Sequence, residues 1–205
     1  MSWQVDYSHT GIRFSARHMM ISTVRGEFTK FEIDAHLDEN EINKIHDANV
    51  LAEEDILNSK LYVQIDAASL NTHDAKRDAH LHSADFLNVA QFPYLVFQGK
   101  GGEKIDATHG KLHGDLTVRG VTRPVTLDVE FLGEAKAPWS HNAGFAATTK
   151  INRKDWGLNW NVALETGGWL VSDEIKIEID IEFIKIAEMV PVGVPQQARE
   201  LSVAQ

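Results

Sequence analysis

The chain has 205 residues, 43% of them hydrophobic, and is therefore long enough to bury a sizeable core. Its 30 acidic and 20 basic residues give a formal net charge of -10, which disfavours nucleic acid and the anionic surface of a membrane as partners. Because the sequence has no cysteine, disulfides, thiolate zinc sites and cysteine nucleophiles are excluded.

The amino terminus shows neither the basic stretch nor the apolar stretch of a secretory signal. A cytoplasmic location is therefore expected, or a periplasmic one if the sequence is a mature form. No apolar run approaches the roughly 20 residues that cross a bilayer, so no membrane insertion is expected.

Alternation of apolar and polar residues predicts many short strands. It is clearest near the carboxyl end, where isoleucines alternate with charged residues, and this pattern indicates a strand with one buried face. In chain order, the predicted strands are 12–16, 26–37, 61–66, 94–100, 111–118, 125–131, 144–152 and 175–183. Turns are predicted at Gly101 and Gly102 and at Arg119 and Gly120.

Helical signals are few. A polar first turn predicts a helix from Asp74 to Ala84 with Thr72 as its N-cap, and 49–57 is a second helix candidate. Residues 191–205 are predicted to form a loosely packed tail. Many antiparallel strands with one polar face favour a β-sandwich or an up-and-down barrel, and periodicity alone does not choose between them.

Several motifs resemble, in order, those of the YceI-like family. They are Trp3, Val5, Asp6 and His9; the block 77–86; the hairpin 114–122; the segment 153–158; and the closing 170–173. The resemblance implies an all-β, eight-stranded antiparallel up-and-down barrel, lipocalin-like, with one or two short helices. This barrel is expected over residues 1–190, with 38–59 as an insertion in it.

The resemblance also implies that the barrel holds a polyisoprenoid, a quinone-like molecule or another long-chain lipid, and that the protein carries or stores it, often as a homodimer. The predicted apolar contacts are Phe14, Phe28, Phe31, Phe97, Trp156, Trp160, Ile177 and Ile179. The predicted polar contacts are Arg77, His18 and His80. Two alternatives stay open: the aromatic residues form an ordinary core, and Arg77 ties the helix to the barrel rim.

Two other function classes compete with lipid binding. His80, His82 and Asp85, with His73 or His113, suggest a metal-binding module, but residues two apart on a helix point to different faces. An enzyme acting on an isoprenoid or an amide would use a histidine near the mouth, although no nucleophile or phosphate-loop motif occurs. We therefore expect a non-catalytic protein without a cofactor, a metal site or a catalytic residue.

Overall fold

A computed structural model describes residues 2–35, 61–165 and 167–186. This part of the chain forms one sheet of 11 strands and one α-helix, α1 (Ala75–His82). The strands are β1 (Ser2–Val5), β2 (Gly11–His18), β3 (Ser22–Phe28), β4 (Phe31–Asp34), β5 (Tyr62–Asp66), β6 (Leu70–Asn71), β7 (Tyr94–Lys104), β8 (His109–Val118), β9 (Val121–Ala137), β10 (Ser140–Asn152) and β11 (Val171–Ile186).

The strand pairing closes a ring. Strands β7 to β11 pair antiparallel in chain order, and β11 continues the ring to β2 and β3. β3 and β4 are halves of one interrupted strand, as are β5 and β6, because Phe28 pairs with Leu70 and Phe31 pairs with Ile65. β5 also pairs with β7, which completes the ring. With each interrupted strand counted once, the ring has eight strands, and the predicted up-and-down barrel is confirmed.

The segments in which apolar and polar residues alternate form strands with one buried and one exposed face, as predicted. In β9, Leu127 and Val129 face the interior, whereas Asp128 and Glu130 are exposed. Successive side chains of a strand point to opposite faces, so a buried face selects every second residue. Ile175, Ile177, Ile179 and Ile181 of β11 follow the same rule and face the interior.

Two predicted boundaries are wrong in detail. The segment 26–37 was expected to be one strand, but β3 ends at Phe28 and β4 begins at Phe31. Gly101 and Gly102 do not form a turn: they remain paired with β8 inside β7, just after a shift in register that follows Gly99. Gly101 has a φ of 132°, a backbone conformation that suits glycine in such a β-bulge.

The predicted helix exists, but its N-cap is Asp74 and not Thr72. The Asp74 carboxylate accepts hydrogen bonds from the backbone N–H groups of Lys76 and Arg77, at 3.0 and 3.1 Å. The Thr72 hydroxyl instead donates to Asp78 at 2.5 Å. A carboxylate directly before the first turn reaches its free N–H groups, which a residue two positions earlier does not.

Some predictions lie outside the described residues. These are the insertion 38–59, the helix candidate 49–57, the last residues of the expected barrel at 187–190, and the tail 191–205. Within the described residues, no helix has both the length and the apolar character needed to span a bilayer.

The antiparallel register gives the barrel two distinct ends. The helix-side end carries α1, the β2–β3 turn, the 3-10 helix Arg153–Trp156 and the loop that follows it. The far end carries β1 and the turns before β2 and after β7. A compact cluster of Trp3, Phe131, Ala143 and Phe183 packs at the far end.

Candidate ligand-binding site

The barrel encloses a cavity of about 640 Å³, within the usual range for small-molecule sites. Its wall consists of inward-facing side chains from β2 to β11, and nearly all of them are apolar. The lining runs from Trp160 and Leu170 at the helix-side end to Phe145 and Phe183 toward the far end. The cavity is therefore long and largely apolar.

Two glycines make room for aromatic rings in the wall. A Cβ atom on Gly26 would lie 2.5 Å from Phe14 Cζ, and one on Gly114 would collide with the ring of Phe97. The Phe14 ring packs against Phe28, with centroids 5.5 Å apart. We infer that these glycines are needed so that the phenylalanines can lie flat against the barrel wall.

Aromatic side chains cluster where α1 meets the cavity. The His80 ring is edge-on to Trp160 at 4.5 Å and to Phe86 at 5.1 Å between centroids. His80 Nε2 lies 2.9 Å from a carboxylate oxygen of Asp85, which fixes the orientation of the imidazole. Trp160 and His80 therefore present both an apolar surface and a polar group to the same end of the cavity.

Arg77 has the structural role considered for it, and its side chain also reaches the cavity. Its Nε donates to the Thr72 hydroxyl at 2.8 Å and its Nη2 to the Thr72 carbonyl at 2.9 Å, so it ties α1 to β6. Its Nη1 lies 3.8 Å from Asp74, and the side chain also lines the cavity. The structural role uses two of the guanidinium's five N–H groups, which leaves others for a polar ligand group.

Arg153 is a buried cation that the sequence reading missed. It donates to the carbonyls of Ser172 (3.0 Å), Trp160 (2.9 Å) and Leu158, and it lies 3.4 Å from Asp173. Burial lowers the pKa of its guanidinium below the ordinary value, and the Asp173 carboxylate opposes that shift. These bonds hold the loop that carries Trp160 against β11 and the end of the barrel.

Nine of the eleven predicted contact residues line the cavity. They are Phe14, His18, Phe28, Arg77, His80, Phe97, Trp160, Ile177 and Ile179. Their contact with a ligand stays a prediction.

Phe31 and Trp156 do not line the cavity. Phe31 lies beside the break between β3 and β4, where its ring packs near Tyr7 with centroids 6.0 Å apart. Trp156 is fully buried beneath the loop, and its indole Nε1–H donates to the Leu116 carbonyl at 3.0 Å. Both residues contribute to the core, as the alternative interpretation of the aromatic residues held.

The charged residues of the lining are mostly cations. Five are basic and one is acidic, although acidic residues outnumber basic ones in the whole chain. The basic ones are Arg13, Arg17, Lys76, Arg77 and Arg153, and the acidic one is Asp74. Arg13 is ion-paired with Asp180 and Arg153 with Asp173, whereas Arg17, Lys76 and Arg77 adjoin the helix-side opening.

The proposed histidine metal cluster does not assemble in the described part of the chain. His80 is engaged with Asp85, and the buried Nε2 of His82 has no hydrogen-bond partner there. The search of the described residues instead groups Asp6, His9 and Glu182, whose ligand atoms lie within 4.8 Å of one another. This partly exposed group sits at the far end, and the hydrogen bond between His9 and Asp6 with the ion pair between His9 and Glu182 accounts for its geometry.

Comparison with known proteins agrees with the fold. A family model of the YceI-like domain matches residues 3–183. A UPF0312 protein of Staphylococcus aureus strain N315 is 34% identical over 180 residues, covering 87% of this chain and 94% of its own. The crystal structure of a Campylobacter jejuni YceI protein is 30% identical and aligns with a TM-score of 0.65, over 83% of this chain and 90% of its own.

A more distant structure shares the fold alone. It is a polyisoprenoid-binding domain from Saccharophagus degradans, 12% identical, with a TM-score of 0.58 over 88% of this chain and 97% of its own.

Proposed function

Because this chain belongs to the YceI-like family, we propose that its barrel binds one long apolar molecule, such as a polyisoprenoid or a quinone-like lipid, and carries or stores it. The observation that carries the proposal is the continuous apolar lining between Trp160 and Phe183. The description of the Saccharophagus degradans domain as polyisoprenoid-binding supports the same ligand class.

The affinity for such a ligand comes from burial of its chain. Burial contributes about 0.8 kcal/mol per methylene-sized group, so an isoprene unit of five carbons contributes roughly 3 to 4 kcal/mol before the costs of binding. Chain length therefore dominates affinity, up to the length that the cavity accepts.

The ligand's polar end belongs at the helix-side end. Arg77, His18 and His80 line the cavity there, beside Trp160. The far end is instead packed by the apolar cluster that contains Trp3 and Phe183. The proposed orientation places the last isoprene units toward Phe183.

Native mass spectrometry of detergent-free protein, followed by denaturing extraction, tests ligand binding. We expect a bound apolar species, or stoichiometric uptake of an added prenyl lipid. A protein that neither retains nor takes up such a lipid contradicts the proposal. The same spectra test the proposed homodimer.

Two adjacent alanines in β10 offer a matched test of where the ligand lies. Ala147 lines the cavity, whereas Ala146 points outward between Glu130 and Asp180 of the flanking strands. We expect Ala147→Phe to reduce lipid uptake at least about tenfold because the ring occupies ligand space, with an overpacking cost of about 1–3 kcal/mol in stability. Ala146→Phe should leave uptake unchanged, and an equal loss in both variants would place the ligand outside the barrel.

The proposal is for binding and not for catalysis. Replacing His18 and His80 with Gln is expected to weaken lipid uptake only modestly, since the apolar chain provides most of the affinity. Turnover of a bound isoprenoid or amide that disappears in these variants would instead support the enzyme hypothesis.

A further inference from the structure

Large apolar side chains are exposed beside the helix-side opening of the cavity. Ile21 is 80% exposed, Met20 66% and Trp169 53%, and the partly exposed Met19 and Val162 lie with them. We name these five residues the apolar rim.

The apolar rim is one continuous surface. The Met19 N–H donates to the Leu170 carbonyl at 2.8 Å, and the Leu170 N–H donates to the Val162 carbonyl at 2.9 Å. Trp169 pairs with Ala163 across the same loop. Leu170 also lines the cavity, so the exposed surface continues into the apolar lining.

The turn between β2 and β3 holds its apolar residues outward at a conformational cost. Met19 and Met20 have φ values of 51° and 63°, in the left-handed region that suits Asn and Gly in such a turn. A turn selected only to join two strands in water would use those residues. Exposed methionines in this conformation, followed by an exposed isoleucine, indicate that the tip has a partner.

Basic residues adjoin the rim, together with the acidic Glu165 of the loop between Ala163 and Trp169. Arg17, Lys76 and Arg77 line the adjoining opening, and Asp74 is the only acidic residue among the described cavity-lining residues. The Asp74 carboxylate already caps α1 and lies 3.8 Å from Arg77 Nη1. The formal charge of -10 therefore describes the whole chain and not this end of it.

We propose that the apolar rim docks on an anionic phospholipid bilayer, with Met20, Ile21 and Trp169 in the interfacial layer and the basic residues facing the headgroups. Tryptophan and aliphatic side chains flanked by Arg and Lys form the composition that binds membrane interfaces. The inference rests on the proposed function: docking would let a water-insoluble ligand pass between bilayer and cavity without crossing water.

Vesicle flotation of the full chain tests this docking surface. The vesicles are phosphatidylcholine with and without phosphatidylglycerol. We expect the wild type to float with the vesicles, more strongly when phosphatidylglycerol is present, and less strongly as salt is raised. The double variant Met20→Ser/Ile21→Ser should bind at least about tenfold more weakly because two apolar side chains leave the interface.

A matched pair of tryptophan variants locates the contact. Trp169 is in the rim, whereas Trp139 is 85% exposed in the β9–β10 turn at the far end. Trp169→Ser should weaken flotation and Trp139→Ser should not. Brominated phospholipids should quench tryptophan fluorescence less in Trp169→Ser than in Trp139→Ser. Equal effects of the two substitutions, or a wild type that does not bind vesicles, would overturn the proposal.

Uptake of a prenyl lipid delivered from solution measures ligand binding independently of membrane docking. The Met20→Ser/Ile21→Ser variant should still take up this lipid, since neither residue lines the cavity. Normal uptake by a wild type that does not float refutes docking alone, whereas absence of uptake refutes the proposed function. A wild type that does not float but forms dimers disrupted by Met20→Ser/Ile21→Ser would identify the rim as a contact between two copies and also refute docking.

Discussion

The two ends of the barrel have different side chains. At the far end, Trp3 and Phe183 are buried in a compact apolar cluster closed off from solvent. At the helix-side end, His80 and Trp160 are half-buried, and Met20 projects into solvent. We propose that the two ends have separate tasks: the far end contributes stability, and the helix-side end contributes ligand recognition.

The largest expected effect on stability is at the far end. Trp3→Ala should lower the free energy of unfolding by about 3–5 kcal/mol, because a fully buried indole is removed from the cluster. Trp160→Ala should cost no more than about 2 kcal/mol because its ring is only half-buried, yet should weaken lipid binding. Urea denaturation and lipid titration measure both. A larger loss of stability in Trp160→Ala than in Trp3→Ala would contradict the assignment of stability to the far end.

Arg153 differs from His80 and Trp160 at the helix-side end, since it is fully buried and structural. Arg153→Met should cost about 3 kcal/mol, because buried carbonyls of the loop lose their donor, and should weaken ligand binding by releasing Trp160. Lys154→Met is the matched control: Lys154 is exposed and lies 2.8 Å from the same Asp173, so it should cost less than about 1 kcal/mol. Equal losses in urea denaturation would contradict a special role for Arg153.

The N-cap of α1 should have a smaller effect. Asp74→Ala should cost about 1 kcal/mol, because the N–H groups of Lys76 and Arg77 lose their acceptor. Asp74→Asn keeps an acceptor and should restore most of that loss. Chemical denaturation distinguishes the two variants, and an equally destabilised Asp74→Asn would show that the charge, and not the cap, matters.

The smallest effect is expected at the partly exposed group of Asp6, His9 and Glu182 at the far end. Hydrogen bonds from Ser8 and then His9 lower the pKa of Asp6 to about 2, and the bond to Asp6 raises the pKa of His9 above its ordinary 6.5. The Asp6 contribution to stability is present above its ordinary pKa and lost as pH falls toward 2. The His9 contribution is present below 6.5 and lost as pH rises through the raised pKa.

The stabilising effect of this pair should therefore be largest at weakly acidic pH. The difference in unfolding free energy between wild type and His9→Gln should be larger at about pH 5 than at about pH 9. Urea denaturation at both pH values provides the measurement. A difference that grows with pH would contradict the assigned direction of the His9 shift.

Short sequence patterns predicted the strand, turn and cap features that depend only on neighbouring residues. The isoleucines of β11 predicted a two-faced strand because alternation along a strand is fixed by the pleat. The turn at Arg119 and Gly120 is confirmed, with φ values of 51° and 72°. Asp74 lies directly before α1, and an acidic residue at that position is a preferred N-cap. The sequence therefore contained the signal for this cap, although Thr72 was predicted.

Other features depend on which distant residues meet. Trp156 and Trp160 are both tryptophans in one segment, yet one is buried against the Leu116 carbonyl and the other lines the cavity. Arg153 belongs to a motif that matched the family, but the sequence did not indicate its role, because its acceptors are backbone carbonyls that only the folded loop brings together. Gly101 was assigned to a turn because a glycine pair signals both turns and bulges.

Alternation in the sequence predicted most of the strands and most residues of the apolar lining, because the pleat gives each strand an inner and an outer face. Its motifs indicated the family. The tertiary structure placed the buried aromatic cluster at one end and gathered the polar groups and exposed apolar residues of the cavity opening at the other. Those properties arise when loops far apart in sequence, such as the β2–β3 turn and the loop before β11, come together at one end. No local sequence pattern predicts that these loops lie side by side, because their proximity follows from the closure of the ring of strands.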